Sequence, residues 1–433
     1  MSHKKRIVVI GAGFGGLEFA KNVNTENAEL IVIDRRNHHL FQPLLYQVAS
    51  AGLAESEIAQ PIRAILHEKP NTTVYLDEVS SIDPVGKKVV ARERTIAYDY
   101  LVLAAGGKTS YFGNDQWAEF APGLKTVDDA LAIRYKLLSA LEEAENATSE
   151  EARKELLTFI VVGGGPTGVE TAGAFAEFAK KVIPQDFTHV DTRDARIILI
   201  EAAPRIMGHL PEDLSAHTKK ELESLGVDVR VGAMVKAIRK NEVELADGTI
   251  LRSAVIVWSA GVQASPVTRT LGVPVDRGGR IEVGPDLTVP GHPEIFAIGD
   301  LALSKGNKGK PVPGVSPGAI QMGAHAAKIV NAELASGKVD PAARPEFKYW
   351  DKGTMATIGR SKAVVWIGKI KFHGFFAWIT WLFVHIMYLV GFRNRLAVLL
   401  QWSYSYLRYK HGARIVPDNY SAAVQDRPKV TLT

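Results

Sequence analysis

The chain opens with an apolar strand that runs directly into a glycine-rich turn and a helix. Residues 5–10 read KRIVVI, and GAGFGG follows them, which matches the pattern G-x-G-x-x-G. The three glycines allow a tight turn, a close backbone approach to a pyrophosphate and close helix packing, so the stretch predicts a βαβ unit with a phosphate site at the helix N-terminus. The residues of this turn that we assign to the site are Gly11, Gly13, Phe14, Gly15 and Gly16.

The second strand ends in an acid, which makes the turn more specific for a dinucleotide. Residues 29–34 read ELIVID, and Asp34 lies 21 positions after Gly13. A carboxylate at about this distance accepts hydrogen bonds from an adenosine ribose. Residues 98–107 then form another buried strand that ends in small residues, where a ligand can press against the backbone. The residues added to the site are Asp34, Arg35, Ala105 and Gly106.

The same unit occurs a second time. Residues 157–162 form an apolar strand before GGGPTG, and residues 254–261 repeat the strand that ends in Ala-Gly. The first glycine of each turn precedes its Ala-Gly glycine by 95 and 98 positions. Two such units suggest two dinucleotides, one tightly held flavin and one exchangeable nicotinamide. The residues assigned to the second unit's site are Gly163, Gly165, Gly168, Glu201, Ala260 and Gly261.

A third motif distinguishes the two nucleotides. Residues 286–300 resemble the second flavin motif of two-dinucleotide flavoproteins, in which a strand ending in Gly-Asp brings an aspartate to the ribityl chain. The first unit is then the FAD site, to which we assign Asp300 and Ala319, and the second is an inserted NADH site. Glu201 favours NADH because a carboxylate repels a 2′-phosphate, although Arg205 nearby could accommodate one.

The chain has no cysteine among its 433 residues. Disulfides, thiolate metal sites and thiol redox chemistry are therefore excluded, and redox chemistry must come from a bound cofactor. We assign no metal site. The N-terminus lacks an apolar leader segment, so we expect the protein to stay in the compartment where it is made.

The C-terminal part is basic and aromatic. Residues 352–417 hold ten Lys and Arg, no Asp or Glu, and four of the seven tryptophans, whereas the net charge of the chain is only +5. This mixture favours a membrane surface over a nucleic acid. Residues 375–390 form an apolar run and 394–410 an amphipathic helix. The side chains expected at the headgroup level are Trp378, Trp381, Trp402, Tyr404 and Tyr409.

A monotopic anchor is the favoured interpretation of this tail, with a single transmembrane helix and a buried dimer or core element as alternatives. For His385, a hydrogen-bonded core histidine is favoured over a ligand or proton relay. The predicted fold class is α/β, with two Rossmann-like dinucleotide-binding domains and a C-terminal amphipathic helical membrane anchor. The predicted parts are the FAD domain in 1–125 and 266–345, the NADH domain in 126–265 and the membrane-associating region in 346–433.

The chain resembles the type II NADH dehydrogenases, which are single-subunit, non-pumping NADH:quinone oxidoreductases. The resemblance covers nearly the whole length through the glycine turns, residues 41–49 (FQPLLYQVA), 258–262 (WSAGV), 296–300 (FAIGD) and the basic apolar tail. Residues 41–49, the tail and the lack of cysteine are the more specific features. The resemblance implies hydride transfer from NADH to FAD and two-electron reduction of a quinone.

The resemblance also implies functional side chains. Glu170, which we expect in the first turn of its helix, matches a glutamate near the nicotinamide and quinone region, where a carboxyl group could supply protons; the alternative role is a helix-dipole interaction. Gln321 matches one glutamine of the quinone motif, but Pro317 occupies the place of the other and offers neither an amide nor a backbone donor. The implied catalytic residues are Glu170 and Gln321, and the implied quinone contacts are Gln42, Tyr46, Gln47, Pro317 and Gln321.

The expected partners are a membrane quinone, either ubiquinone or menaquinone, and the membrane surface, with no nucleic acid and with a homodimer compatible with the family. For this class we expect peripheral attachment to the cytoplasmic face of the inner membrane. Two alternatives stay open, namely a soluble flavoprotein reductase that serves a small redox protein and a redox-sensing NADH-binding flavoprotein. Sulfide:quinone oxidoreductases and disulfide reductases are excluded because both need cysteines.

Overall fold

The computed structural model describes residues 4–306, 309–408 and 413–417, without the side chains of 392, 393 and 404–408. The chain forms two compact units. Unit 1 comprises Met1–Leu40, Ala59–Lys108 and Val262–Lys352, and unit 2 comprises Phe41–Ile58, Thr109–Gly261 and Gly353–Thr433. The domain boundaries drawn from the sequence stay predictions.

The helices and strands of the described residues, in chain order, have the following bounds. The helices are α1 (Phe14–Asn22), α2 (Leu45–Ala49), α3 (Glu55–Ile58), α4 (Ile62–Leu66), α5 (Val127–Glu145), α6 (Glu150–Leu156), α7 (Pro166–Glu177), α8 (Glu212–Ser224), α9 (Ser316–Ser336), α10 (Phe375–Tyr388) and α11 (Phe392–Arg408). The strands are β1 (Lys5–Ile10), β2 (Ala28–Asp34), β3 (His38–Leu40), β4 (Ala59–Pro61), β5 (Thr72–Leu76), β6 (Val79–Asp83), β7 (Lys88–Ala91), β8 (Thr95–Ala97), β9 (Tyr100–Leu103), β10 (Gly107–Thr109), β11 (Thr158–Val162), β12 (Arg196–Glu201), β13 (Val227–Val231), β14 (Val235–Arg239), β15 (Glu242–Leu245), β16 (Ile250–Arg252), β17 (Val255–Trp258), β18 (Val262–Ala264), β19 (Ile281–Glu282), β20 (Thr288–Val289), β21 (His292–Ala297), β22 (Ala302–Leu303), β23 (Thr354–Thr357), β24 (Ala363–Ile367) and β25 (Ile370–Gly374).

Unit 1 is organised by a six-stranded sheet in the order β20-β21-β9-β1-β2-β5. Its strands are parallel except for the antiparallel pair β20–β21. Ile7, Val8 and Val9 of β1 are fully buried. A parallel sheet is covered on both faces, which explains why the first strand is apolar without alternation. The carboxyl end of β1 therefore presents the glycine turn beside the ends of β2 and β9.

Unit 2 repeats this arrangement with a four-stranded parallel sheet in the order β13-β12-β11-β17. Phe159 and Ile160 of β11 are fully buried, as the repeated apolar pattern predicts. The α/β fold with two dinucleotide-binding cores is thus confirmed. The segment before β11 forms α5 and α6, with Thr126 and Asp129 capping α5 reciprocally.

The last part of unit 2 is a three-stranded antiparallel sheet, β23-β24-β25, followed by α10 and α11. The two helices confirm the predicted elements, although α10 ends two residues before the predicted run does. Among the described residues, no helix is both long and apolar enough to pass through a bilayer. Residues 409 and 410, the end of the predicted amphipathic helix, lie outside the described residues.

Candidate functional site

The glycine turn of unit 1 has the geometry of a phosphate-binding loop. Gly11 has φ +94°, and a Cβ there would collide with the Ala104 carbonyl oxygen, while one at Gly16 would collide with the Gly11 carbonyl. A Cβ built on Gly13, the N-cap of α1, would have no neighbouring atom within 4 Å. A glycine N-cap has no side chain to occupy the first helix amides, so they can face a phosphate.

The acid at the end of β2 holds this turn in place. Asp34 accepts hydrogen bonds from the backbone N–H groups of Ala12 (2.7 Å) and Arg36 (2.8 Å). The half-buried carboxylate therefore lies directly beside the glycine turn, where a ribose would reach it. Arg35, the next predicted site residue, is exposed.

His39 also holds the turn, and the sequence analysis did not identify it. Its Nδ1 donates to the Ala12 carbonyl oxygen (3.0 Å), and its ring lies edge-on to Phe14 with centroids 5.2 Å apart. Burial lowers the pKa of His39, which keeps the ring neutral. The only available signal was its place in the loop after the ribose-binding acid, because the contact spans 27 positions.

The Gly-Asp motif lies beside the start of α9. Asp300 follows β21, and it lines a pocket with Gly314, Gly318 and Ala319. A Cβ at Gly15 would lie 3.0 Å from the carbonyl oxygen of Ala319, so the glycine turn and this pocket are adjacent within unit 1. A Cβ built on Gly11 would likewise lie 3.0 Å from the Cα of Ala105. The residue types and the cradle fit FAD.

Gln321 and Pro317 lie in the first turns of α9. Pro317 is the second residue of the helix, a place where the missing N–H costs no hydrogen bond. The side chain of Gln321 is engaged with the backbone of Trp350, donating to its carbonyl (3.0 Å) and accepting from its N–H (2.9 Å). Gln321 also donates to the Pro317 carbonyl oxygen (3.1 Å). The Gln321 amide thus holds the backbone at Trp350 against α9.

The glycine turn of unit 2 repeats the geometry of the first. Gly163 has φ +109°, and a Cβ on Gly168 would collide with the Gly163 carbonyl. Gly165 is the N-cap of α7 and again faces open space. A Cβ built on Gly163 would lie only 2.8 Å from the backbone nitrogen of Ala260. Gly261, the next residue, has φ +79°. This turn fits a second dinucleotide.

Glu201 lies at the end of β12 as Asp34 does at the end of β2. It accepts from the N–H groups of Gly164 (2.6 Å) and Ala203 (2.7 Å). The guanidinium of Arg205 donates instead to the carbonyl oxygens of Gly208 (2.9 Å) and Leu210 (3.2 Å). The carboxylate is therefore the charged group that borders the turn, while Arg205 is bonded within its own loop.

Glu170 lies in the second turn of α7, so the expectation that it lies in the first turn is wrong. The helix begins at Pro166, which suits the first helical position and makes Glu170 the fifth residue. The side chain is buried at 8% exposure, and burial raises its pKa to about 8. The backbone N–H of Thr357 (3.4 Å) and the nearby indole of Trp381 favour ionisation, but they offset only part of the desolvation.

An aromatic cluster surrounds this part of unit 2. Trp381 stacks on His385 with centroids 4.0 Å apart, and Tyr46 lies edge-on to Trp381 at 6.4 Å. His385 donates through Nδ1 to the Trp381 carbonyl oxygen (2.7 Å), and burial lowers its pKa to about 4. His385 is therefore a neutral, hydrogen-bonded core histidine, as favoured from the sequence. Among the described residues the Trp381 Nε1 has no hydrogen-bond partner within bonding geometry.

The predicted quinone residues of the 41–49 motif lie together on or before α2. Gln42 donates to the Lys125 carbonyl oxygen (3.4 Å). Gln47 donates to the Tyr46 hydroxyl (2.9 Å) and accepts from the Trp402 indole N–H (2.7 Å). Unit 2 thus holds three of the five predicted contacts, whereas Pro317 and Gln321 belong to unit 1.

The tryptophans of the tail are buried, so their predicted place at the headgroup level is wrong. Trp378, Trp381 and Trp402 are at most 7% exposed, because they pack among other aromatic rings of unit 2. The side chain of Tyr404 and all of Tyr409 lie outside the described residues.

Phenylalanine and aliphatic side chains are exposed instead. We call the α10 residues Phe376, Ile379, Phe383 and Met387 the apolar stripe; they are 77%, 44%, 66% and 50% exposed. The neighbouring α11 exposes Leu396, Leu399 and Leu400 while burying Asn394. Basic side chains of the tail form ion pairs within unit 2, namely Lys362 with Glu221, Lys371 with Asp213 and Arg414 with Asp186.

Two protein-family models match the chain. The model of the pyridine nucleotide-disulphide oxidoreductases matches residues 5–323, and that of the NDH2 C-terminal domain matches residues 351–410. The chain is 44% identical to the type II NADH:quinone oxidoreductase Ndh of Mycobacterium tuberculosis, covering 97% of this chain and 92% of the relative. It is 34% identical to the internal alternative NAD(P)H-ubiquinone oxidoreductase A1 of Arabidopsis thaliana, covering 92% and 83%.

Among solved structures, the chain resembles NDH2 from Plasmodium falciparum in complex with NADH. The TM-score is 0.87 at 22% identity, with 95% of this chain and all of that chain covered. It also resembles the sulfide:quinone oxidoreductase of Aquifex aeolicus with a TM-score of 0.71 at 20% identity, covering 90% and 92%. At these identities the likeness shows the shared fold.

Proposed function

We propose that this chain, which belongs to the type II NADH:quinone oxidoreductase family, oxidises NADH and reduces a membrane quinone through bound FAD. The observation that carries the proposal is the pair of glycine turns, each bordered by an acid, in a chain 44% identical to a protein with this named activity. Neither alternative from the sequence has support among these observations.

Unit 1 would hold FAD and unit 2 would hold NADH. FAD supplies, when bound, a redox centre that takes up a hydride and releases its electrons to a quinone. The protein contributes helix N-terminal amides at Gly13 and Gly165 for the two pyrophosphates, and Asp34 and Glu201 for the riboses. Asp300, after β21, and Ala319, on α9, would border the flavin. Hydride transfer requires orientation and water exclusion rather than a protein nucleophile.

Glu201 supports NADH over NADPH as the donor. Its two oxygens accept backbone hydrogen bonds at the turn and leave a negative charge where a 2′-phosphate would lie. Arg205 would be needed to neutralise that phosphate, but its guanidinium is bonded to two carbonyl groups of its own loop.

Glu170 would hold a proton for the reaction. Because its pKa is raised to about 8, the carboxyl group is largely protonated at pH 7. Its Oε1 accepts from the Thr357 N–H (3.4 Å). A buried, neutral carboxylic acid can donate a proton when negative charge develops nearby, and quinone reduction requires two protons.

The quinone contacts would come mainly from Gln42, Tyr46 and Gln47. Tyr46 and Gln47 lie on α2 and Gln42 lies just before it, whereas the Gln321 amide is engaged with Trp350 and Pro317 is the second residue of α9. The catalytic role of Gln321 therefore stays a prediction from the family. Whether the acceptor is ubiquinone or menaquinone is decided by the experiment below.

The apolar stripe supports peripheral attachment to a membrane. An exposed run of phenylalanines and aliphatic residues on one helix face, in a tail that also exposes Lys369, has the composition of an interfacial helix. We propose attachment to the cytoplasmic face of the inner membrane, where NADH is available. A homodimer built on the tail is a further proposal, which sedimentation of the detergent-purified protein would test.

The test is anaerobic stopped-flow absorbance with three proteins. Adding NADH to the wild type should bleach the flavin, and a short-chain ubiquinone or menaquinone should restore its absorbance. Gly165→Val and Gly13→Val are matched variants, because both positions face open space and neither glycine has a positive φ. The first should retain FAD but bleach at least 100-fold more slowly, and the second should lose FAD. Bleaching that no quinone reverses would overturn the proposed acceptor.

A further inference from the structure

A strained aromatic residue lies in a tight turn of unit 2. Residues 111–114 form a β-turn, which is closed by a hydrogen bond from the Asn114 N–H to the Tyr111 carbonyl oxygen (3.0 Å). Its two central residues, Phe112 and Gly113, have φ +52° and +91°. Turns of this class favour Asn, Asp or Gly at both central positions, because a larger side chain crowds the backbone there. Phenylalanine is therefore a poor choice for the conformation that it adopts.

Phe112 is also exposed, although the aromatic residues around it are buried. It is 69% exposed, whereas Tyr111, Trp117 and Trp258 are at most 6% exposed. The Phe112 ring lies at an angle to that of Trp258, with centroids 6.3 Å apart. Among the described residues, eight that are not glycine have a positive φ, and Phe112 is the only aromatic one. Folding alone does not explain this ring, because it buries little surface and strains the turn.

Hydrogen bonds fix the turn to the end of β17. The Trp258 Nε1 donates to the Ser110 carbonyl oxygen (2.9 Å), and the Ser110 N–H donates to the Gly261 carbonyl oxygen (3.3 Å). The Phe112 N–H donates to Ser110 Oγ (3.3 Å). A Cβ built on Gly261 would lie only 2.6 Å from Phe112 Cζ. The ring therefore lies directly against Gly261, which is one of the residues assigned to the NADH site.

The order of the strands places Gly261 on the nicotinamide side of that site. β12, which ends in Glu201, and β17, which precedes Gly261, flank β11 on opposite sides. A dinucleotide with its pyrophosphate at the glycine turn after β11 and its adenosine ribose at Glu201 must extend its other half past the end of β17. That half carries the nicotinamide ring.

We propose that Phe112 is a contact residue for the nicotinamide riboside half of NADH. This inference rests on the proposed function, because it names a contact that the NADH site of unit 2 makes with its substrate. A phenyl ring offers a flat apolar surface to a ribose and a nicotinamide ring, and covering that surface removes apolar area from water. Strained backbone residues cluster at ligand sites, where the strain positions a group for the ligand.

The first test replaces Phe112→Asn, which removes the ring and supplies a residue that the turn favours. Anaerobic stopped-flow reduction of the flavin over a range of NADH concentrations measures the Kd for NADH. This Kd should rise about 10-fold, as expected for the loss of one large apolar contact, whereas the melting temperature should not fall. Phe112→Gly should show the same rise. Phe112→Tyr, which keeps the ring, should bind NADH within about twofold of wild type.

Two half-molecules identify the part of NADH that the ring contacts. With reduced nicotinamide mononucleotide as the donor, the second-order rate of flavin reduction should also fall about 10-fold in Phe112→Asn. The Kd of ADP, which contains only the adenosine half and competes with NADH, should stay within about twofold of wild type. Ile250→Asn, which removes another exposed apolar side chain (56%) from unit 2, is the matched control and should leave every value unchanged.

Two results would overturn the inference. An equal rise in the Kd of ADP in Phe112→Asn would show that the ring only supports the glycine turn. An unchanged Kd for NADH would show that the ring makes no contact with the substrate.

The proposed function fails differently. Wild-type enzyme whose flavin is not bleached by NADH would overturn the proposed donor and the inference together. Wild-type enzyme that NADH bleaches normally, with an unchanged Kd for NADH in Phe112→Asn, would overturn the role of Phe112 alone.

Discussion

At the scale of single residues, burial controls the chemistry of Glu170. Its carboxyl group is inside unit 2 and its pKa is raised to about 8, against an ordinary value of 4.5. The folded protein therefore holds the proton more tightly than the unfolded chain does. The stabilising effect of that protonation is complete below about pH 4.5 and is lost as the pH rises through 8.

Glu170→Gln should remove this pH dependence. The variant and the wild type should have the same melting temperature at pH 5, and the variant should melt several degrees higher at pH 8.5, since a rise in pKa from 4.5 to about 8 makes burial of the charge cost on the order of 5 kcal/mol. Differential scanning fluorimetry across this range measures the difference. Glu142→Gln, on the exposed side of α5, is the control. A difference in melting temperature between Glu170→Gln and wild type that does not change with pH would contradict the raised pKa of Glu170.

A second prediction concerns the selection of the nicotinamide. Glu201→Gln removes the negative charge at the end of β12 and leaves its shape, so NADPH should be repelled less. The ratio of kcat/KM for NADH to that for NADPH should fall at least tenfold, mainly through KM. Asp34→Gln is unsuitable as a control because it borders the FAD turn; Glu242→Gln, in the hairpin β14–β15, is suitable. An unchanged ratio would contradict the role of Glu201.

At the scale of elements, a buried charge network fastens the segment after α9 to unit 1. The Arg344 side chain is 2% exposed and donates to Glu333 (2.7 Å) and Asp286 (3.0 Å). Tyr100 donates to the second oxygen of Glu333 (2.8 Å). Burial, and after it this hydrogen bond, raises the pKa of Tyr100 above its usual range. The network joins β9, α9 and the loop before β20.

Arg344→Ala should destabilise unit 1 by about 3–5 kcal/mol, because it leaves two carboxylates buried without their cation. Arg344→Lys should recover part of this loss, since an ammonium cannot reach both acids with a planar fork. Urea unfolding followed by flavin fluorescence reports on unit 1, and Lys338→Ala is an exposed control. A loss below 1 kcal/mol would mean that the network adds nothing to the packing around it.

At the scale of the whole molecule, the proposed attachment to a membrane depends on the apolar stripe. Replacing Phe376 and Phe383 of the apolar stripe by Glu together should reduce partition onto anionic lipid vesicles at least tenfold, since each exposed ring loses contact with the lipid. Ferricyanide reduction should stay unchanged. Val85→Glu, at a residue 90% exposed in unit 1, should bind vesicles like wild type. If the double variant partitioned onto the vesicles as strongly as wild type, the apolar stripe would be excluded as the membrane contact.

Features of the fold that depend on a few neighbouring residues could be predicted from the sequence. Gly11 and Gly163, the acids Asp34 and Glu201, and the strands that carry them are local patterns, and the structure has them at the expected ends of the sheets. Pro317 looked like a missing ligand, yet it is an ordinary helix start. The burial of Trp381 and Trp402 and the bond from Trp402 to Gln47 depend on packing between distant segments, which a single sequence does not reveal.

The sheet order of unit 1 has a consequence for synthesis on the ribosome. β9 pairs with β21, and α1 packs closely on α9, where Gly323 leaves no room for a Cβ against Gly15. The first helix, α1, thus lacks its packing partner α9, and β9 lacks its neighbour β21, until about two thirds to three quarters of the chain has been made. The four-stranded sheet of unit 2, whose strands span a shorter stretch, can form in the meantime, so the sheet that begins first is completed last.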